Sequence, residues 1–168
     1  MSANTPLIDY VRHYRSLGWV PVPLHDLRNG ECSCSKGSEC PSAGKHPRVT
    51  QSAAKAADDS NWTSWLSHWP KMNLAVLTGS EFGFFVVDID PRHEGDINFE
   101  AFCKRHGVLA ATLEAASGGG GRHLFFKADA DVKIKSAANV LGQGVDIRGD
   151  GGIIVVEPSV TKGAYKWL

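Results

Sequence analysis

Three short stretches of this sequence place phosphate- and metal-handling side chains at the spacing of a strand or a tight turn. In Val86-Val87-Asp88-Ile89-Asp90 two carboxylates stand two residues apart. On a strand, residues so spaced share a face. Two neighbouring acids repel, and burial would push both toward protonation. A divalent cation such as Mg²⁺, which takes carboxylates together with substrate phosphates, removes that conflict. The alternative is that both acids cap the turn before Pro91. In Ser117-Gly118-Gly119-Gly120-Gly121-Arg122-His123, the glycines allow backbone N–H groups to approach an anion closely, with Arg122 and His123 as donors beside them. The alternative there is a plain hairpin connection. In Gly144-Val145-Asp146-Ile147-Arg148-Gly149-Asp150-Gly151-Gly152, Asp146 and Arg148 share a strand face. This pairs a third carboxylate with a guanidinium of phosphate-binding geometry; the alternative is a surface ion pair leading into a hairpin turn at Asp150-Gly151.

A fourth constellation is Cys32-x-Cys34-x5-Cys40-x5-His46. Three thiolates and an imidazole suit a closed tetrahedral Zn²⁺ site, and crowded cysteines without a secretion signal read as metal ligands before disulfides. His46 is the least secure of the four. Lys45-His46-Pro47-Arg48 could face nucleotide or template phosphates instead, with His25 as the substitute ligand. The competing reading is a flexible loop with free thiols. Cys103, alone in an apolar helical pattern, reads as a small buried hydrophobe.

These groups need elements to hold them. Thr5 as N-cap and Pro6 in the first turn open a helix through Leu7, Val11, Tyr14 and Leu17, closed by Gly18. Trp19 to Leu24 reads as a strand, with Pro21 and Pro23 marking an edge. Residues 25–50 form a polar, Cys-rich insert. Trp62, Trp65, Leu66 and Trp69 follow at helical spacing up to Pro70, and that periodicity favours core packing over stacking on bases. Strands are expected at Leu74 to Leu77 and at Phe84 to Ile89, the latter a continuous apolar run suited to a central strand. A helix fits Gly95 to His106. Further strands fall at Leu113 to Ala116, Arg122 to Lys127, Gly144 to Arg148, Ile153 to Glu157 and from Tyr165. Lys133 and Lys135 read as a solvated strand face. The sum is an α/β (α+β) domain: a mixed β-sheet core with flanking helices and a small zinc-knuckle insert.

Composition limits the function classes. The 168 residues suit a single domain, 1–168. Lys plus Arg and Asp plus Glu both number 18, so nucleic-acid contact must use local basic patches. No apolar run could span a bilayer, and Met1 to Tyr10 carries no signal-peptide pattern, so a cytoplasmic protein without membrane partners is expected.

Taken together, Asp-x-Asp, then Ser-Gly-Gly-Gly-Gly-Arg-His, then Gly-Val-Asp-Ile-Arg-Gly-Asp-Gly-Gly resemble the bifunctional DNA primase/polymerase domain of the archaeo-eukaryotic primase superfamily. Gly44-Lys45-His46-Pro47, Asn73, Thr78-Gly79 and Val155-Val156-Glu157-Pro158-Ser159 extend the resemblance over nearly the whole chain. Glu157 departs from it, standing where a small apolar residue is expected. The resemblance implies an RRM-like catalytic core that joins nucleotides on a DNA template by a two-metal mechanism. Asp88, Asp90 and Asp146 would bind catalytic Mg²⁺ or Mn²⁺. His123 would contact the phosphates of the incoming NTP or dNTP, with Ser117, Gly119, Gly120, Gly121, Arg122, Arg148 and Lys45 around it. DNA template and primer are the implied partners. The chain's abrupt end suggests excision from a longer protein, which could carry a helicase domain. Two rival readings remain: a metal-dependent nuclease, which would not need the triphosphate cradle, and a zinc-stabilised nucleic-acid-binding module with an inactive site, which would not need the acids.

Overall fold

The computed structural model describes residues 5–168; part of the Met1–Tyr10 segment lies outside them. Helix α1 (Leu7–Ser16) begins one residue later than the sequence suggests, with Pro6 in the cap position. It buries Tyr10, Val11 and Tyr14, while Leu17 at its end is half exposed. Gly18 takes the left-handed φ of +78° that terminates the helix. Strand β1 (Pro21–Leu24) follows, then the short hairpin β2 (Leu27–Arg28) and β3 (Glu31–Cys32) within the insert. The 51–70 segment is two helices, α2 (Gln51–Ala56) and α3 (Asp59–His68). The break falls at Asp58, whose side chain forms a capping box with Asn61 and starts a new helix.

The remaining elements are β4 (Asn73–Leu77), β5 (Phe84–Ile89), α4 (Gly95–His106), β6 (Leu113–Ala116), β7 (Arg122–Lys127), β8 (Val145–Arg148), β9 (Ile153–Val156) and β10 (Lys166–Trp167). They build a three-stranded sheet, β1-β4-β9, and a five-stranded sheet, β10-β6-β7-β5-β8. Pro21 and Pro23 indeed lie on an edge strand. Where the sequence pattern suggests a mixed sheet, every ladder between named strands is antiparallel, and the parallel element is one isolated bridge, Lys135 to Asp150. Apolar alternation records which face is buried and carries no strand direction.

Side-chain alternation divides the core into three clusters. Leu74 and Val76 of β4 and Val86 of β5 join Tyr14 and Trp62 in the first. Trp65 and Trp69 pack against it, so the tryptophans serve the core. Ala75 and Leu77 face a second, under α2. Val87 and Ile89 meet Phe99 of α4 in a third, where Cys103 is half-buried rather than enclosed. Strand β5 is therefore apolar on both faces until Asp88. Glu157 has a structural use: its carboxylate accepts hydrogen bonds from Tyr10 Oη and the Trp167 amide.

The turn after β8 is not a hairpin. Strands β8 and β9 belong to different sheets, and Asp150 braces the crossing by accepting hydrogen bonds from the amides of Ser80 and Ile134. Buried Asn73 does comparable work at the other end of β4. Its Nδ2 donates to the carbonyls of Gly44 and Val160, and its Oδ1 accepts from the Val160 amide. Asn73→Ala strands these backbone groups, and each unmet buried group costs about 1–3 kcal/mol. Urea unfolding is expected to show at least that loss; an unchanged midpoint would show that the three bonds contribute nothing net.

Candidate active site and metal cluster

The five-stranded sheet sets the chemistry in one row. On β5, Asp88 pairs directly with Asp146 of β8 on one side and with His123 of β7 on the other. Residues directly opposite in an antiparallel ladder share a face, so all three side chains point to one side of the sheet. Arg148, two residues after Asp146, reaches the same side. Its guanidinium donates to Asp88 Oδ2 at 3.1 Å and to Asp146 Oδ2 at 2.9 Å, bridging the two acids. The second oxygen of Asp146 accepts the Asn139 amide.

Burial opposes ionisation of Asp88, but the hydrogen bond and charge of His123, together with Arg148, outweigh it and hold its pKa below the ordinary value. His123 is 3% exposed; its Nε2 lies 3.4 Å from Asp88 Oδ1, and its Nδ1 has no partner among the described residues. A buried ring nitrogen left unmet is costly unless a ligand meets it.

Asp90 lies one residue past β5 and does cap the turn at Pro91, accepting the Arg92 amide at 3.0 Å. Arg92 also folds back onto it, with Nε 2.8 Å from Oδ1. This guanidinium first, and the Arg92 amide, draw the Asp90 pKa down to about 2. All three acids line one cavity of about 320 Å³ with Arg148. Asp88, Asp90 and Arg148 also border a neighbouring cleft of about 400 Å³, together with His123, Ser117, Lys45 and His46.

The glycine run forms the β6–β7 hairpin, closed by Ser117, whose Oγ accepts the Gly121 amide. A Cβ at Gly121 would sit 2.2 Å from the carbonyl oxygen of Ile89, so the turn can press against the end of β5 only without a side chain. Strand alternation turns Arg122 away from the cleft. It lies on the α4 side of the sheet and pairs with Glu114, so it does not join the other residues of the motif. In its place the structure brings two residues that the motifs did not mark, Arg92 and Tyr165. The Tyr165 ring is buried 5.8 Å from the His123 ring. Adjacency to Asp90 was a usable signal for Arg92; nothing local pointed to Tyr165.

In the insert, one ligand atom from each of Cys32, Cys34, Cys40 and His46 lies within 4.8 Å of the others, a group able to hold a metal ion. His25 stacks on His46 and contacts Ser33 instead of joining them. Hydrogen bonding by the Lys36 amide, with help from Cys32 and His46, lowers the Cys34 pKa to about 6 and favours the ligating thiolate. The insert is docked by a buried ion pair, Arg48 to Asp26 at 2.5 Å, with Arg48 also 2.6 Å from Ser33 Oγ and stacked over Trp69.

The chain matches the family of bifunctional DNA primase/polymerase N-terminal domains over residues 11–168, and it belongs to that family. The fold is consistent with such a domain, and the family is one of nucleotidyltransferase-type enzymes whose substrates are DNA and nucleotides. No curated protein matches the chain. No helix among the described residues is long and apolar enough to cross a membrane.

The depressed Asp90 pKa has a signed consequence. Asp90 is lowered in the folded state relative to about 4 in an unfolded chain, so its contribution is complete above pH 4 and fades as pH falls toward 2. Thermal unfolding from pH 6 to 2 is expected to show a steeper acid loss for the wild type than for Asp90→Asn; parallel curves would contradict the Arg92 pairing.

Proposed function

We propose that this domain carries out template-directed nucleotidyl transfer, as a DNA primase or DNA polymerase. The observation that carries the reading is the row Asp146, Asp88 and His123 on one sheet face, with Arg148 bridging the acids and a buried His123 nitrogen still unmet. The reaction joins a 3′-hydroxyl oxygen to the α-phosphorus of an NTP or dNTP and releases pyrophosphate. The chain's own groups bind and orient. Arg148, Arg92 and Lys45 offer positive charge to the triphosphate, His123 Nδ1 is available to a phosphate oxygen or hydroxyl, and the Ser117–Gly121 turn shapes the floor.

The donor set suits divalent cations: three carboxylates around one cavity, two of them facing each other, are hard oxygen ligands whose mutual repulsion a cation relieves. Asp88, Asp90 and Asp146 would hold Mg²⁺ or Mn²⁺, in the two-metal manner of phosphoryl-transfer enzymes. Bound there, such ions neutralise phosphate charge and favour the ionised hydroxyl. In the insert, Cys32, Cys34, Cys40 and His46 are soft donors that fit Zn²⁺ in a structural role. DNA template and primer are the partners of this reading, which places the protein in the cytoplasm.

Extension of a labelled primer on a DNA template with Mg²⁺ or Mn²⁺ tests it. Wild type is expected to lengthen the strand, and Asp88→Ala to lose on the order of 10²-fold or more of the rate. A shortened strand would support a nuclease instead, and DNA binding without turnover in a well-folded protein would support a binding module. The zinc reading has its own measure. Metal analysis of purified protein is expected to find one zinc per chain, and Cys34→Ser to lose most of it; equal content in both would remove Cys34 from the ligand set.

A further inference from the structure

Between β7 and β8 the chain forms no helix or strand, yet its second half is laid along β8 by specific bonds. The Asp150 amide donates to the Ile134 carbonyl, and the Ser136 hydroxyl accepts the Gly149 amide at 2.9 Å. Ala137 and Ile147 exchange amide–carbonyl bonds at 3.0 and 2.8 Å. This docking delivers Asn139, which takes a left-handed φ of +58°. Asparagine enters that region more readily than most residues that carry a side chain.

From there Asn139 reaches two of the three acids. Its amide donates to Asp146 Oδ1 at 2.9 Å, while Arg148 holds Oδ2, so both oxygens of that carboxylate are engaged. Its side-chain Oδ1 accepts the Gly144 amide at 2.8 Å, and the Gly144 carbonyl in turn accepts the Asp90 amide at 2.8 Å. Asn139 and Gly144 line the cavity of about 320 Å³ together with Asp88, Asp90 and Asp146. A carboxylate oxygen that accepts one hydrogen bond keeps a lone pair for a cation.

We propose that Asn139 is a positioning residue for the metal-binding acids, acting on Asp146 through its left-handed amide and on Asp90 through the Gly144 latch. The proposal rests on the reading of Asp88, Asp90 and Asp146 as ligands of a divalent cation. Without a cation the acids repel, and an unrestrained Asp146 would swing toward solvent. Arg148 is a long side chain shared between two acids, whereas a backbone amide in a docked loop is fixed in place. Hydrogen bonds to ligating carboxylates orient them and thereby set metal affinity.

Titration of Mn²⁺ into the zinc-loaded chain, followed by the electron paramagnetic resonance of the free ion, is the test. Wild type is expected to bind Mn²⁺, and loss of the tightest binding in Asp88→Ala assigns it to the cleft. Asn139→Ala disfavours the left-handed turn and removes the latch, and is expected to weaken that binding roughly tenfold. Asn139→Gly enters the same turn freely and keeps the amide, so its loss is expected to be about threefold or less. Asn139 is exposed and outside the core clusters, so both variants are expected to fold. An Asn139→Ala protein that melts earlier but binds Mn²⁺ like wild type has lost only loop stability, and overturns the proposal. Equal losses in the Ala and Gly variants overturn it as well, since the left-handed amide would then not be what acts. In primer extension, Asn139→Ala is expected to need more Mg²⁺ yet to come within about twofold of the wild-type rate at saturation; a rate still tenfold low there overturns the positioning role. Should the wild type bind no Mn²⁺ in the cleft, the metal reading itself fails, a result distinct from unaltered binding by Asn139→Ala.

Discussion

Two carboxylates facing each other across a ladder are the constraint around which this domain is organised. Asp88 and Asp146 are directly paired between β5 and β8, where opposite residues lie only about 4.5–5.5 Å apart. Like charges held about as far apart as those backbones repel by roughly 3–4 kcal/mol in a partly screened environment. A cross-strand pair contributes roughly 0.2–1 kcal/mol and cannot absorb that. Arg148 resolves the conflict by donating to both acids, and His123 supports Asp88 from the opposite strand. With the repulsion met, β5 can stay central, flanked by β7 and β8, and bring its apolar residues to both layers of the core.

The second organising contact is the buried pair of Asp26 and Arg48. Desolvating two charges gains little over an apolar contact, but separating them afterwards is expensive, so such a pair fixes geometry more than it adds stability. Here it fixes an insert that has almost no core of its own. Arg48 holds Asp26 and Ser33, lies over Trp69 and bonds the Leu24 carbonyl, tying the Cys-rich loop to β1 and α3 at once. That anchoring brings His46 of the metal cluster and neighbouring Lys45 into the wall of the cleft. The loop that carries the Cys₃His group thus also borders the cleft.

Much of the fold could be read from the chain. The apolar run from Phe84, the helical span Gly95–His106 and the strands at Leu113–Ala116 and Arg122–Lys127 follow from local periodicity and turn residues, and the elements lie where these put them. Less was legible at the site. Strand alternation alone separates Arg122 from His123, but the motif groups them together, and the structure sends Arg122 to pair with Glu114 on the far face. Tyr165 reaches the cleft from the last strand region through packing that no sequence window contains. The Asp150 turn reads as a hairpin locally, yet it passes the chain between two sheets.

What the sequence determined by itself was chemical type and local geometry: carboxylates two apart, an Asp-x-Arg pair, a glycine turn and a set of soft ligands, each dictated by residue identity within a few positions. The tertiary structure alone decided which of these meet. Strand order and register placed Asp146 and His123 on either side of Asp88 and excluded Arg122, and the packing of the insert set the Cys₃His loop against the cleft. The reason is physical. Periodicity records which face of an element is buried, whereas the partner across the ladder is chosen by long-range packing that joins residues dozens of positions apart.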